Sequence, residues 1–115
     1  MSVIIMHKER ELLRSSNIIF RGFYKSIIDY IEKNNIEFNK NLTELIEDLE
    51  AGCRGIGLDI GDYISEESEF VSFLDLIRKS LNDLYVNIPD LALDYKKLFE
   101  NFYQGLIEVQ RDFSE

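Results

Sequence analysis

The chain has 115 residues, enough for one domain that buries its own hydrophobic core without cross-links. Its hydrophobic fraction of 45% excludes intrinsic disorder, and its net charge of −9 argues against binding to nucleic-acid phosphates or anionic membranes, which would repel it. No apolar run approaches the roughly 20 residues of a membrane helix, so we expect a soluble protein without membrane contact. The single cysteine, Cys53, excludes an internal disulfide, which suits a reducing compartment, so we expect a cytoplasmic protein.

The first predicted element is a helix that ends at Asn34-Asn35. Its apolar residues recur at steps of three, four or seven: Leu13, Phe20, Tyr24, Ile27 and Ile31. Met6 keeps the same phase, which would let the helix begin near Ser2. The segment Ser15-Ser16-Asn17 favours a break or kink, because these side chains compete for backbone hydrogen bonds.

The second predicted helix is short and is followed by a glycine-rich loop. Asn41 or Thr43 would cap it, Gly52 would end it, and its buried stripe would be Leu42, Leu45, Ile46 and Leu49. The loop runs from Gly52 to Asp62 and contains four glycines: Gly52, Gly55, Gly57 and Gly61. The one possible strand in the chain, Ile56 to Ile60, lies inside this loop.

Two longer helices complete the predicted fold, separated by Pro89. Ser65 would cap the third, whose first turn carries Glu66, Glu67 and Glu69 at the end where the helix dipole favours negative charge. Its core stripe is Phe70, Phe73, Leu74, Ile77, Leu81 and Leu84; the fourth helix has Leu91, Tyr95, Leu98, Phe99, Phe102, Leu106 and Val109. The prediction is a single all-α domain, 1–115, a compact bundle of about four helices whose neighbours pack antiparallel.

No set of residues in the sequence forms a recognisable catalytic or metal-binding motif. The only histidine, His7, lies in a charged turn and is interpreted as a surface residue, and Cys53 follows a helix C-terminus among acids, which disfavours a reactive thiolate. The glycines match no phosphate-binding loop, and a calcium loop starting at Asp59 would need ligands at Gly61 and Tyr63. We therefore expect no enzyme activity, no cofactor and no metal.

The distribution of acidic residues is the strongest functional signal in the sequence. Ten acids lie between residues 44 and 75: Glu44, Glu47, Asp48, Glu50, Asp59, Asp62, Glu66, Glu67, Glu69 and Asp75. This stretch has one base, Arg54, so its net charge is 1 − 10 = −9, equal to that of the whole chain. Like charges at helical spacing destabilise a helix by roughly 0.2–0.5 kcal/mol per pair.

Two interpretations of this acidic stretch stay open. Acid can simply keep the protein soluble and stabilise a helix start, or it can form a surface for a basic partner. A solvated face usually mixes signs, as Lys96-Lys97 and Glu100 do, and Tyr63 among acids is typical of an interface anchor. The predicted partner-binding residues are Glu44, Glu47, Asp48, Asp59, Asp62, Tyr63, Ile64, Glu66 and Glu67.

The size and acidity of the whole chain, together with two local runs, carry a family resemblance. These runs extend from Glu44 to Glu50 (ELIEDLE) and from Asp59 to Glu67 (DIGDYISEE). The chain resembles bacterial immunity proteins that neutralise nuclease toxins, especially the helical ones of contact-dependent growth inhibition systems. It has no Tyr-Tyr pair, so it is not assigned to the helical DNase immunity proteins that carry one.

This resemblance implies a cytoplasmic, cofactor-free inhibitor of a basic nuclease toxin domain, with an RNase as the first choice. The alternative is a non-enzymatic helical adaptor or a self-associating structural domain. Its sequence basis is the first helix, which carries four aromatic residues: Phe20, Phe23, Tyr24 and Tyr30. They give this helix more apolar surface than one buried face needs, and the excess would support a homodimer.

Overall fold

The computed structural model describes residues 2–52 and 57–113, with side chains at 3–50 and 57–113. Its strands are β1 (Ser2–His7), β2 (Arg10–Ser16) and β3 (Leu58–Asp59), and its helices are α1 (Asn17–Asn34), α2 (Lys40–Gly52), α3 (Glu67–Asn87) and α4 (Leu93–Phe113). A single 3₁₀ turn, Ile60–Asp62, follows β3. The three strands form one mixed sheet in the order β2-β1-β3, so the fold is α+β.

The prediction of an all-α bundle is wrong at the N-terminus. Residues 2–16 form an antiparallel β-hairpin, in which Ile5 pairs with Leu13 and Val3 with Ser15. All four of these residues are buried, whereas Arg14 between them is exposed, which is the period-two pattern of a half-buried strand. Met6 and Leu13 thus share a helical phase by coincidence, and the β-branched run Val3-Ile4-Ile5 favoured a strand.

Strand β3 adds to the other edge of β1 in parallel, pairing Leu58 with Ile5 and Asp59 with Met6. The strand suspected between Ile56 and Ile60 is therefore confirmed over Leu58–Asp59, while Ile56 lies outside the described residues. Helix α2 ends at Gly52 as predicted, and the second half of the predicted glycine-rich loop, residues 58–62, forms β3 and the 3₁₀ turn. Residues 53–56 of that loop lie outside the described residues.

Several helix ends differ from the prediction. Ser16 is the N-cap of α1, with its hydroxyl accepting from the Ile19 N–H at 3.4 Å, so the serine pair starts a helix and does not kink one. Asn39, and neither Asn41 nor Thr43, caps α2: its Oδ1 accepts from the Leu42 N–H at 2.9 Å. Helix α3 starts at Glu67 with Glu66 as its N-cap, which displaces the predicted cap at Ser65.

The apolar stripes predicted for α2 and α3 are confirmed, since every named member is buried. On α4, Phe99, Phe102, Leu106 and Val109 are buried, but Tyr95 is exposed. Helix α3 packs against both α1 and α4 and supplies the largest share of the core. None of the described helices combines the length and apolarity that a membrane span requires.

Candidate protein-interaction surface

Helix α2 presents a one-sided acidic face. Glu44, Glu47, Asp48 and Glu50 are exposed, while the interleaved residues Leu42, Leu45, Ile46 and Leu49 are buried. This follows from the 3.6-residue helical period, which directs the two sets to opposite sides. Among the described residues, Lys40 approaches Glu44 at 3.9 Å at the N-terminal end of the helix.

Tyr63 joins this face to the 3₁₀ turn. Its hydroxyl donates to Asp48 Oδ2 at 2.6 Å, which links residues 15 positions apart in the chain. This hydrogen bond, with partial burial and the negative charges of Asp48, Asp62 and Glu44, raises the pKa of Tyr63 to about 12. Because all three carboxylates act on one phenol, the structure brings Glu44, Asp48, Asp62 and Tyr63 together on one surface.

Asp59 has a structural role in the sheet. Its carboxylate accepts from the Lys8 N–H at 3.0 and 3.1 Å and from the Gly61 N–H at 2.8 Å. The carboxylate thus connects the β1–β2 turn to the 3₁₀ turn. A Cβ at Gly61 would lie 3.1 Å from Asp59 Oδ1 and 3.2 Å from Lys8 Cγ, so a glycine suits this close approach.

The remaining predicted site residues divide between surface and core. Ile64 is only 1% exposed and belongs to the core, so it offers no side chain to a partner. Glu66 and Glu67 are exposed at the start of α3, three and four positions after Tyr63. The predicted residues with exposed side chains therefore lie on α2, in the 3₁₀ turn and at the start of α3, and Ile64 is not among them.

Glu69 is an acid of the same stretch that is buried, with 8% exposure. Its Oε2 accepts from Asn39 Nδ2 at 2.8 Å and from Asn41 Nδ2 at 3.3 Å, which ties the start of α2 to α3. The sequence holds a signal for this burial, because Glu69 precedes Phe73 and Ile77 at steps of four on the core stripe.

Beside the acidic face lies a groove that sequence reasoning missed. It has a volume of about 360 Å³ and lies between the C-terminal end of α1 and α2. Its lining consists mostly of apolar side chains: Ile28, Ile31, Ile36, Phe38 and Ile46, together with Thr43, Glu37 and Glu47. Glu47 belongs to both features, so the acidic face and the groove are continuous.

His7 departs from its predicted place in an exposed turn. It ends β1 and is half-buried, with its ring centroid 6.1 Å from the rings of both Phe70 and Phe113. Its Nε2 is buried and has no hydrogen-bond partner among the described residues. Burial lowers the pKa of His7 below its ordinary 6.5, and the positive charge of Lys8 adds to that effect.

The described residues contain no group of three or more His, Cys, Asp or Glu side chains placed to hold a metal ion. Cys53, interpreted above as an inert thiol, lies outside the described residues. Comparison with known proteins found no matching family model, no matching curated protein and no matching solved structure.

Proposed function

We propose that this protein binds a basic protein partner through its acidic surface, and that it acts as an immunity protein that blocks a nuclease toxin, with an RNase as the first choice. The supporting observation is the hydrogen bond from the Tyr63 hydroxyl to Asp48, which joins this aromatic side chain to the exposed acidic face of α2, within the negative field of Glu44 and Asp62. An aromatic residue within a field of one sign is typical of a protein interface.

The physical reason lies in the chemistry of the partner. A nuclease holds phosphate with lysine, arginine or histidine, so its active site is a positive cleft. Carboxylates can occupy such a cleft without being cleaved. Complementary charge can also raise the association rate toward roughly 10⁸–10⁹ M⁻¹s⁻¹ at low salt, which suits an inhibitor that must act before its toxin does.

A matched pair of charge-reversal variants tests this proposal. The face variant carries Glu47→Lys, Asp62→Lys and Glu66→Lys, all exposed on the acidic surface. The control variant carries Asp90→Lys, Asp94→Lys and Glu100→Lys, which are exposed around the start of α4 and change the net charge by the same amount. Circular dichroism establishes first that both variants keep the wild-type helix content.

Immobilised wild-type protein and both variants would then capture proteins from a lysate of the source organism. We expect a basic protein that is retained by the wild type and by the control, is lost from the face variant, and has a nuclease activity that the wild type inhibits. A protein retained equally by all three, or one without nuclease activity that the chain can block, would contradict the proposal.

Self-association is the second candidate, favoured by an apolar patch where the start of α1 meets the end of α3 and the start of α4. One cavity there is lined by Ile18, Ile88, Leu91 and Tyr95. Ile18 is 84% exposed, and Leu93, two positions after Leu91, is 65% exposed; exposed apolar surface often marks an interface. The predicted aromatic face of α1 is not the basis, because Phe20 and Phe23 are buried and Tyr24 and Tyr30 pack against the core. Sedimentation should show a dimer that high salt preserves and Leu93→Glu dissociates; a monomer at all concentrations would exclude it.

A further inference from the structure

We propose that the groove between α1 and α2 receives one apolar side chain from a basic segment of the partner. This inference rests on the proposed function and names the chemistry of the contact: an apolar residue flanked by lysines or arginines. Charge alone speeds encounter but gives limited affinity, and tight interfaces depend on a few side chains buried at their centre.

The walls of the groove are held by backbone geometry. Helix α1 ends in a Schellman motif: Asn35 adopts a left-handed conformation with φ 49° and ψ 46°, and the Ile36 N–H donates to the Ile31 carbonyl at 3.2 Å. This motif brings Ile36 back toward Ile31, and both residues line the groove.

The second wall is fixed by the cap of α2. Asn39 Oδ1 accepts from the Leu42 N–H at 2.9 Å, and its Nδ2 donates to the buried Glu69 at 2.8 Å. The Thr43 hydroxyl donates to the Asn39 carbonyl at 2.8 Å, adding a third contact at this helix start. A groove whose two sides are held by hydrogen bonds is preformed, so little ordering is needed when a partner binds.

The lining indicates what would occupy the groove. Ile28, Ile31, Ile36 and Phe38 are half-buried, and Ile46 is 7% exposed. The two charged lining residues are Glu37 and Glu47, both exposed acids, and the described lining includes no base. The nearest cations in sequence are already placed against acids, Lys33 at 3.9 Å from Asp83 and Lys40 at 3.9 Å from Glu44.

This lining therefore complements a segment that is apolar at its centre and basic at its flanks. The apolar side chain would enter between the isoleucines while the flanking cations meet Glu37 and Glu47. The groove also offers an apolar contact in place of Ile64, a predicted partner-binding residue that is buried in the core.

Two short synthetic peptides test the inference directly. One has a central phenylalanine between arginines, and the other replaces that phenylalanine with serine, so that both carry the same charge. Because burying one large apolar side chain contributes roughly 1.5–3 kcal/mol, we expect the phenylalanine peptide to bind at least about tenfold more tightly in fluorescence anisotropy. Amide NMR shifts should centre on Ile31, Ile36, Phe38 and Ile46.

Two variants locate the effect. Thr43→Phe places a ring at the exposed rim of the groove and should erase the difference between the peptides by weakening the phenylalanine peptide. Glu47→Lys should weaken both peptides, and Glu100→Lys on α4 should affect neither. NMR spectra of each variant show whether the fold is retained.

Equal binding of the two peptides, both weakened by Glu47→Lys, would overturn the groove inference and leave the acidic surface as the binding site. No binding of either peptide at low salt would overturn the inference together with the proposed function. NMR shifts that appear only around Ile18 and Leu93 would also overturn it and would move the apolar contact to that patch.

Discussion

The Tyr63 hydroxyl couples the end of the 3₁₀ turn to α2 through its 2.6 Å hydrogen bond to Asp48. We expect Tyr63→Phe to lower the free energy of unfolding by about 1 kcal/mol near neutral pH, because the acceptor is exposed and partly hydrated. Urea unfolding measures this, with Tyr103→Phe on α4 as a control that removes a hydroxyl from another half-buried tyrosine.

The pH dependence of this effect has a definite sign. The pKa of Tyr63 is raised from 10.0 to about 12 in the folded state, so the folded state favours the protonated phenol. The contribution to stability is therefore complete below pH 10 and is lost as pH rises from 10 toward about 12. The stability difference between wild type and Tyr63→Phe should shrink over this window; a difference that widens there would contradict the assignment.

His7 should make the protein less stable in acid. Burial beside Phe70 and Phe113 lowers its pKa below 6.5, so the unfolded state binds the proton first as pH falls. The stability contributed by neutral His7 is complete well above pH 6.5 and is lost as pH drops below that value. Asp59 and Asp112 oppose the shift but do not reverse it.

Because His7 is the only histidine, its ring gives one unambiguous NMR signal to titrate. We expect a midpoint below 6.5. Urea unfolding at about pH 7.5 and about pH 5.5 gives the free energy of unfolding at each pH. Between these two pH values it should fall less for His7→Phe than for the wild type. A midpoint at or above 6.5 would show that the ring is more hydrated than the structure indicates.

At the scale of elements, the β1–β2 hairpin is the part of the fold that sequence reasoning missed. Its two turn residues, Lys8 and Glu9, have φ of 48° and 73°, values typical of a two-residue type I′ turn. Such turns favour Asn-Gly or Asp-Gly, and Lys-Glu carries neither signal. The conformational cost of this turn is offset by the Asp59 carboxylate, which accepts from the Lys8 N–H, and by the pairing of the two strands.

Glycine at position 9 should therefore stabilise the protein. A non-glycine residue in the left-handed region costs roughly 1–2 kcal/mol, a penalty that glycine avoids. We expect Glu9→Gly to raise the free energy of unfolding by about 1 kcal/mol in urea or thermal unfolding. Glu9→Ala removes the same charge but keeps the backbone penalty, so it should be close to neutral; equal effects of the two substitutions would point to charge instead.

At the scale of the whole molecule, the net charge of −9 equals that of residues 44–75 alone, and repulsion among these acids opposes stability. Glu47 faces Glu44 and Glu50 at i±3 on α2, and each like-charge pair costs roughly 0.2–0.5 kcal/mol. We expect Glu47→Lys to raise the free energy of unfolding by roughly 0.5–1 kcal/mol at low salt. Glu47→Gln, which removes repulsion without adding attraction, should give about half of that.

The same Glu47→Lys substitution should weaken binding to a basic partner, so stability and binding would change in opposite directions. Salt tests the electrostatic origin of both effects, because screening should reduce the stability gain and the loss of binding alike as ionic strength rises. If Glu47→Lys neither stabilised the protein nor weakened binding, the exposed acids would be too well hydrated to interact, and the acidic face would serve solubility alone.

Local periodicity was enough to predict all four helices, although it extended the first into the hairpin, and the side of α2 that carries its acids. Helical spacing is a property of neighbouring residues, so the stripes of α2, α3 and α4 could be identified without knowing what they pack against. The break at Pro89 and the end of α1 at Asn34-Asn35 follow for the same reason, since backbone restrictions act within a few residues.

Only the tertiary structure decided the rest, because it depends on partners far apart in the chain. The N-terminal residues become strands through pairing with each other and with Leu58–Asp59, and Asp59 accepts from the Lys8 N–H across 51 positions. Ile64 belongs to the core because of what surrounds it, and the hydrogen bond from Asn39 holds the buried Glu69 carboxylate across 30 positions. The sequence by itself determined where the charge lies, whereas packing determined which of those side chains a partner can reach.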